Sequence, residues 1–192
     1  MLFSSFNIFG KNIGPYDKYK KIIYSQCGEE GIIEFILKKI LKNFKNLNVC
    51  EFGAWDGVHL SNTFYFVKKY NANALYIEKS KTKFANLIKT ATQYPSITAV
   101  NANISKYYNH KHSLDKLLRK NMNKKNFDIL SIDIDSYDLD IWENLKTFSP
   151  KIVIIEINSE LGKNIKQRHR GIDQRGNSFL STIQVAKKKI IS

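Results

Sequence analysis

Cys50-Glu51-Phe52-Gly53-Ala54-Trp55-Asp56-Gly57 closes a short apolar run, Val49 to Phe52, and leads into an amphipathic one, Leu60 to Tyr70. A buried strand that runs into a glycine turn and then a helix is where open α/β sheets bind ligands, at the carboxyl ends of their strands. Gly53 permits the tight turn, and Gly57 lets a ligand approach the backbone with no Cβ in the way. The spacing lacks the further glycine of the dinucleotide fingerprint G-x-G-x-x-G. A phosphate-poor cofactor therefore fits better. The acid Glu51 ahead of the first glycine suits an ammonium group and repels phosphate. The next apolar run, Ala74 to Ile77, ends in Glu78. An acid roughly 20–25 residues past such a turn is placed to accept hydrogen bonds from both ribose hydroxyls.

Outward from this pair, apolar runs alternate with amphipathic ones. Ser25 reads as the N-cap of a helix reaching Lys42, with Glu29 and Glu30 in its first turn and Ile32, Ile33, Phe35, Ile36, Ile40 and Leu41 on one face. Helices are also expected over Ser80 to Thr90, His112 to Asn121, Leu139 to Leu145 and Ser178 to Lys189. Strands are expected over Ile97 to Val100, Phe127 to Ile134 and Ile152 to Ile157. Continuous β-branched strands joined by helices predict a mostly parallel sheet covered on both faces, an α/β Rossmann-like three-layer sandwich. Residues 1–23 show no period and read as an N-terminal extension; residues 24–192 read as one domain.

The 192 residues are 43% hydrophobic, 12% aromatic and 25% charged, a globular balance with core enough for one domain. No run approaches about 18 apolar residues, so no membrane span is expected. Met1 to Phe6 is apolar but lacks a basic lead, so it does not read as a signal peptide. Cys27 and Cys50 offer neither a disulfide framework nor metal spacing, and a reducing, cytoplasmic setting is the expectation. A net charge of +14 raises the question of nucleic acid. The lysines are scattered among Asn and Ile as solvated faces, which argues against such a partner. Lys163 to Arg175, with His169, is the densest basic stretch and the one place to look for an anionic ligand.

Glu51-x-Gly53-x-x-x-Gly57 resembles the E/D-x-G-x-x-x-G motif of class I S-adenosyl-L-methionine-dependent methyltransferases, and Glu78 matches their ribose-binding acid. More narrowly, three segments resemble the FkbM-like methyltransferases. These are Tyr24-Ser25-Gln26-Cys27-Gly28-Glu29-Glu30-Gly31, then Glu51 to Gly57 with Leu60-Ser61-Asn62-Thr63, and Leu130-Ser131-Ile132-Asp133-Ile134-Asp135. The resemblance covers about residues 24 to 160. It implies S-adenosyl-L-methionine lying over Gly53 and Gly57, with Ala54 and Asp56 in the same cofactor-binding turn. The methionine end would lie near Glu51, the ribose on Glu78, and Asn103 would approach the adenine. Class I methyltransferases usually finish with an antiparallel strand pair, and this chain reaches Lys187 to Ser192 where that pair would begin. The expectation is a sandwich lacking that pair, its fifth strand an exposed edge. Such an edge fits either a homodimer that covers it or a shortened chain with impaired activity.

Ser131-Ile132-Asp133-Ile134-Asp135-Ser136-Tyr137-Asp138 puts several carboxylates at the end of a buried strand, and alternation directs Asp133 and Asp135 to one side. Acids so close repel unless one takes a proton or a cation lies between them. Three readings stay open. Asp133 and Asp135 hold Mg²⁺ with water and substrate oxygens, similar to the metal-dependent sugar O-methyltransferases. Alternatively Asp133 contacts the cofactor and Asp135 or Asp138 is the catalytic base for a hydroxyl. Or Asp138 caps a helix and Asp135 faces water. Glu156 and Asn158 extend the same rim and shape an acceptor pocket. Trp55 either lines the cofactor pocket or is buried under the next helix. His59, His110 and His112 are not at metal spacing.

The function that follows is methyl transfer to a hydroxyl of a small-molecule or glycan acceptor, resting on alignment and one base. Two rivals remain. One is a glycosyltransferase-like enzyme holding a metal and a nucleotide-sugar phosphate on Asp133 and Asp135. The other is a non-catalytic domain that only binds partners.

Overall fold

The computed structural model describes residues 14–41, 44–122 and 127–191; Met1 to Phe6, Lys42 and Ser192 lie outside them. Five strands, β1 (Asn48–Phe52), β2 (Asn73–Glu78), β3 (Ile97–Asn101), β4 (Ile129–Ile132) and β5 (Ile152–Ile155), run parallel in the order β3-β2-β1-β4-β5. Among the described residues the α-helices are α1 (Glu29–Ile40), α2 (Phe64–Tyr70), α3 (Lys81–Gln93), α4 (Leu114–Asn121), α5 (Asp138–Glu143) and α6 (Phe179–Ile191).

The layering follows from crossover handedness. Parallel connections are right-handed, so stepping from β1 to β2 to β3 puts α2 and α3 on one face. Reversing direction to β4 and β5 puts α4 and α5 on the other. Two cores record this. Val49, Ala74, Tyr76, Ile129 and Ile152 pack with Ile33 and Leu37 of α1, Phe66 of α2 and Leu87 of α3. Cys50, Phe52, Leu75, Ile77, Leu130 and Val153 pack with Leu117 and Leu118 of α4, Trp142 of α5 and Val185 of α6. Each fully buried Leu, Ile or Phe contributes about 1.5–3 kcal/mol. The chain leaves neighbouring β1 and β4 toward opposite faces, so a crevice opens between their carboxyl ends. β5 is an edge of this sheet. Among the described residues no helix is long and apolar enough to cross a membrane.

Several boundaries differ from the sequence expectation. Helix α1 begins at Glu29, after Gly28 at φ +82°, and Ser25 is not its cap. Ser25 instead bonds the Glu30 carboxylate, which also accepts from the N–H groups of Ile23, Tyr24 and Ser25. Helix α2 starts at Phe64, not Leu60, because residues 61–63 are wrapped around Glu51. It ends where Asn71 turns left-handed at φ +51°, a conformation Asn tolerates. β4 stops at Ile132, not Ile134, because the Ile134 N–H is captured by Asp138 at 2.8 Å. β5 stops at Ile155, and the chain then turns so that Asn158 N–H donates to the Asn177 carbonyl.

Residues 14–23 lie across α1. The Tyr19 ring stacks on Phe35 at 3.7 Å, and Lys21 reaches Glu34 at 2.6 Å. Gly31 makes room for them, since a Cβ there would strike the Tyr19 carbonyl. Glu34, 2% exposed, also takes hydrogen bonds from Lys69, Tyr65 and Tyr70. Burial opposes its ionisation, but Lys21, Lys69, Tyr70 and Tyr65 outweigh it and hold the carboxyl well below the usual range.

Candidate functional site

A cavity of about 290 Å³ opens in the crevice. Its wall brings together Glu51, Gly53, Glu78, Asn103, Asp133 and Asp135, contributed by the carboxyl ends of β1, β2, β3 and β4. A polar rim over an apolar floor of Phe52, Ile77, Ala102, Ile104 and Ile134 suits a nucleoside.

The turn after β1 says what the ligand is not. Gly53 and Ala54 N–H donate to the Ile77 carbonyl at 3.1 and 3.3 Å, and Trp55 N–H donates to Glu78 at 3.0 Å. Gly57 N–H donates to the Ala54 carbonyl, while Val58 and His59 N–H donate to the Asp56 carboxylate. Dinucleotide and P-loop folds leave such donors free to cradle phosphate. Here they are consumed internally.

The two glutamates border one crevice. Glu51, 6% exposed, has one carboxylate oxygen bonded by Ser61 Oγ, Thr63 Oγ1 and Thr63 N–H. Among the described residues its other oxygen accepts a single long bond, from Asn62 N–H at 3.3 Å. That oxygen retains capacity for a cation or donor. Burial pushes the Glu51 carboxyl up, against the donors from Thr63 and Ser61. Glu78 accepts Trp55 N–H on one oxygen and Ser80 N–H on the other, at 2.6 Å. Each carboxylate oxygen has further lone-pair capacity for a diol.

Three carboxylates converge beside this cavity. Asp133, Asp135 and Glu156 each bring an oxygen within 4.8 Å of the others. Strand alternation is not the cause, because β4 has ended and Asp135 sits in a left-handed turn at φ +56°. The trio forms a junction. A second cavity, about 230 Å³, is bounded by Asp133 and Glu156 with Gln26, Cys27, Leu60 and Asn62. A third, about 370 Å³, is bounded by Asp135 and Glu156 with Asn158, Arg175 and Asn177. Burial, then the neighbouring acids, pushes Asp133 up to about 6 and Glu156 up to about 8.

A carboxyl raised in the folded state binds its proton more tightly there than in the unfolded chain, so stability falls as pH rises. For Glu156 the window runs from the ordinary 4.5 to about 8. Glu156→Gln is therefore expected to melt on the order of a few degrees above wild type at alkaline pH. The gap should close in acid below that window, as followed by thermal denaturation across pH.

Some expected site residues turn away. Ala54 is buried in the core, and the Asp56 carboxylate is engaged by its own loop. Gly57 faces the core too: a Cβ there would come within 2.7 Å of Leu87 and 3.1 Å of Tyr76. Its φ of +81° and this packing explain the glycine, not ligand approach. Asp138, 2% exposed, bonds Ile134 and Ser136 N–H with its two oxygens and shapes the loop. As a base it is poorly placed. Within Lys163 to Arg175, Arg168 is bound to Asp140 and Glu143, while Arg175 reaches the third cavity.

Of the two readings left open for Trp55, the structure shows the cavity-lining one, and Lys83 and Asn62, not singled out for the slot, line the first cavity as well. Trp55 is not buried but 39% exposed at the rim, with Lys83 Nζ 4.2 Å above its ring and His59 edge-on. Its φ of +51° is a strained conformation for a bulky residue, a feature found at binding sites. Asn62 donates to Ser131 Oγ at 3.1 Å and borders the first and second cavities.

The parallel order, the acid-flanked crevice and the internally bonded glycine turn are those of a class I methyltransferase-type α/β domain. The model of the methyltransferase FkbM domain matches residues 9–179, and the chain belongs to that family. No curated protein matches it. Solved structures similar to it include the CurJ carbon methyltransferase, at 10% identity over 62% of this chain and 30% of that one, with a TM-score of 0.43. Phosphoethanolamine N-methyltransferase 1 of Haemonchus contortus, solved with phosphoethanolamine and S-adenosylhomocysteine, is 14% identical over 90% of this chain and 33% of that one, TM-score 0.48. A SAM-dependent methyltransferase of Aquifex aeolicus is 11% identical over 82% and 78%, TM-score 0.45. The chain thus spans about a third of the length of the first two.

Proposed function

We propose that the chain binds S-adenosyl-L-methionine in the first cavity and transfers its methyl group to a hydroxyl of a small-molecule or glycan acceptor. The observation that carries this reading is the pairing of Glu51 and Glu78 across one slot in whose turn the Gly53, Ala54, Trp55 and Gly57 N–H groups are already bonded internally. That consumption also weighs against a nucleotide-sugar enzyme. When bound, the cofactor supplies an electrophilic methyl on a sulfonium. Glu51 would hold the ammonium and Glu78 the ribose hydroxyls, with Asn103 beside the base. The second and third cavities receive the acceptor. Asp133 and Asp135 stand where the cavities meet, and one of them would take the hydroxyl proton as the oxygen–carbon bond forms and the methyl–sulfur bond breaks. At about 6, Asp133 is poised for that work near neutrality, while Glu156, at about 8, stays largely protonated and donates.

A metal-assisted variant uses the same trio, whose oxygens lie close enough to share one hard cation. A second copy lying along the β5 edge belongs to the same reading, as does a reducing cytoplasmic setting for the free Cys27 and Cys50. Light scattering at high concentration is expected to give a dimer mass; a monomer removes that part.

Calorimetry with S-adenosylmethionine and S-adenosylhomocysteine, with and without Mg²⁺, tests the core of the reading. Wild type is expected to bind both. Glu78→Gln and Trp55→Ala should each weaken both ligands by roughly ten-fold or more, about 1.4 kcal/mol. Absence of binding to wild type would overturn the proposal.

A further inference from the structure

The chain holds 27 Lys but 4 Arg, and three of those, Arg168, Arg170 and Arg175, fall within one short stretch. That stretch folds as a narrow finger. His169 N–H donates to Asn177 Oδ1, Ser178 N–H to the Gln167 carbonyl, and Arg170 N–H to the Gln174 carbonyl. Gln174 N–H donates back to the Gly171 carbonyl and closes a turn whose apex is Ile172-Asp173. Arg168 anchors the root on Asp140 and Glu143.

The apex is chemically unexpected. Turn centres favour Gly, Pro, Asn, Asp and Ser, whereas this one presents an isoleucine that is 89% exposed. Ile165, 48% exposed, lies in the strand of chain leading to the finger. The same stretch carries Lys163, Lys166, Arg170 and Arg175, all exposed, against the single acid Asp173. Asp135, Asp138, Glu156 and Glu160 line the third cavity, which Arg175 borders. An apolar tip on a basic collar is the arrangement that binds an anionic lipid surface, where each cation gains from the surface potential and the tip enters the headgroup boundary. A protein partner needs roughly 800 Å² per side, far more than a turn apex supplies.

We propose that the finger of residues 163–175 docks the protein on anionic lipid, with Ile172 as the inserted side chain. No membrane-crossing segment is required, and the proposal stands apart from the methyl-transfer reading. Its consequence is that the third cavity, which Arg175 borders, opens beside the lipid surface.

Co-sedimentation with vesicles tests it, comparing pure phosphatidylcholine with the same lipid containing phosphatidylglycerol. The full chain is expected to pellet with the anionic vesicles and stay in solution with the neutral ones. Ile172→Ser should weaken partitioning roughly ten-fold, as befits one lost apolar side chain. Lys166→Gln with Arg170→Gln should do the same, whereas Lys81→Gln with Lys89→Gln, removing equal charge from α3, should change little. Equal pelleting with both vesicle types, an unaffected Ile172→Ser protein, or an equal loss from the α3 pair would overturn the proposal. So would retention by duplex DNA without vesicle binding.

Discussion

Gly53→Ala is expected to yield no stably folded protein. The new methyl would come within 1.8 Å of the Asp133 carbonyl oxygen, on a backbone already at φ +78°. Neither neighbour can yield. Gly53 N–H is fixed to the β2 carbonyl of Ile77, and Asp133 N–H to the Phe52 carbonyl at the end of β1. The cost is therefore about 4 kcal/mol or more, a large share of a domain's stability. Gly171→Ala is the contrasting case, since nothing lies within 4 Å of its added methyl and φ is +106°. Backbone strain alone, about 1–2 kcal/mol, should remain there. Urea melts of the two variants check the difference. The result also matters for binding assays: a Gly53 variant reports on folding, so Glu78→Gln is the sounder probe of the cofactor slot.

Glu30→Ala is expected to be the next most damaging change. The side chain is fully buried and gathers three backbone N–H groups and the Ser25 hydroxyl of the segment ahead of α1. Removing it strands these donors at a cost of about 3 kcal/mol or more. The loss reaches the site, because Gln26, Cys27 and Glu29 border the second cavity. Acceptor turnover should fall even where cofactor binding persists. Trypsin should also cut faster at the exposed Lys20 and Lys21, while Glu30→Gln, keeping one acceptor oxygen, should show a smaller effect on both. A denaturation midpoint and a digestion time course measure this.

What could be read in the chain and what could not divides along the range of the interactions. The parallel sheet was legible because β-branched runs and amphipathic helices are local patterns, and Glu51 and Glu78 because they end strands at fixed distances from a glycine turn. Glu30 was read as a first-turn acid, and Glu34 was not singled out. Their hydroxyl, N–H and ammonium partners come from other segments, such as Tyr65 and Lys69 of α2, which no local pattern reveals. Leu60 to Thr63 looked helical by period, yet the Glu51 carboxylate claims the Ser61 hydroxyl and the Asn62 and Thr63 N–H groups. Gly57 was misjudged for a related reason: a glycine motif does not say which side of the turn needs the space, and here it is Leu87 and Tyr76. Trp55 could only be left open between the cofactor pocket and burial under the next helix. Its left-handed backbone and its place at the cavity rim are visible only in three dimensions.

The most direct test is a crystal structure of the protein grown with S-adenosylhomocysteine. The nucleoside should lie in the first cavity with its ribose hydroxyls on Glu78 and its amino group against Glu51. Ligand density outside the crevice between β1 and β4, or ribose contacts made without Glu78, would contradict the account whatever activity is later measured.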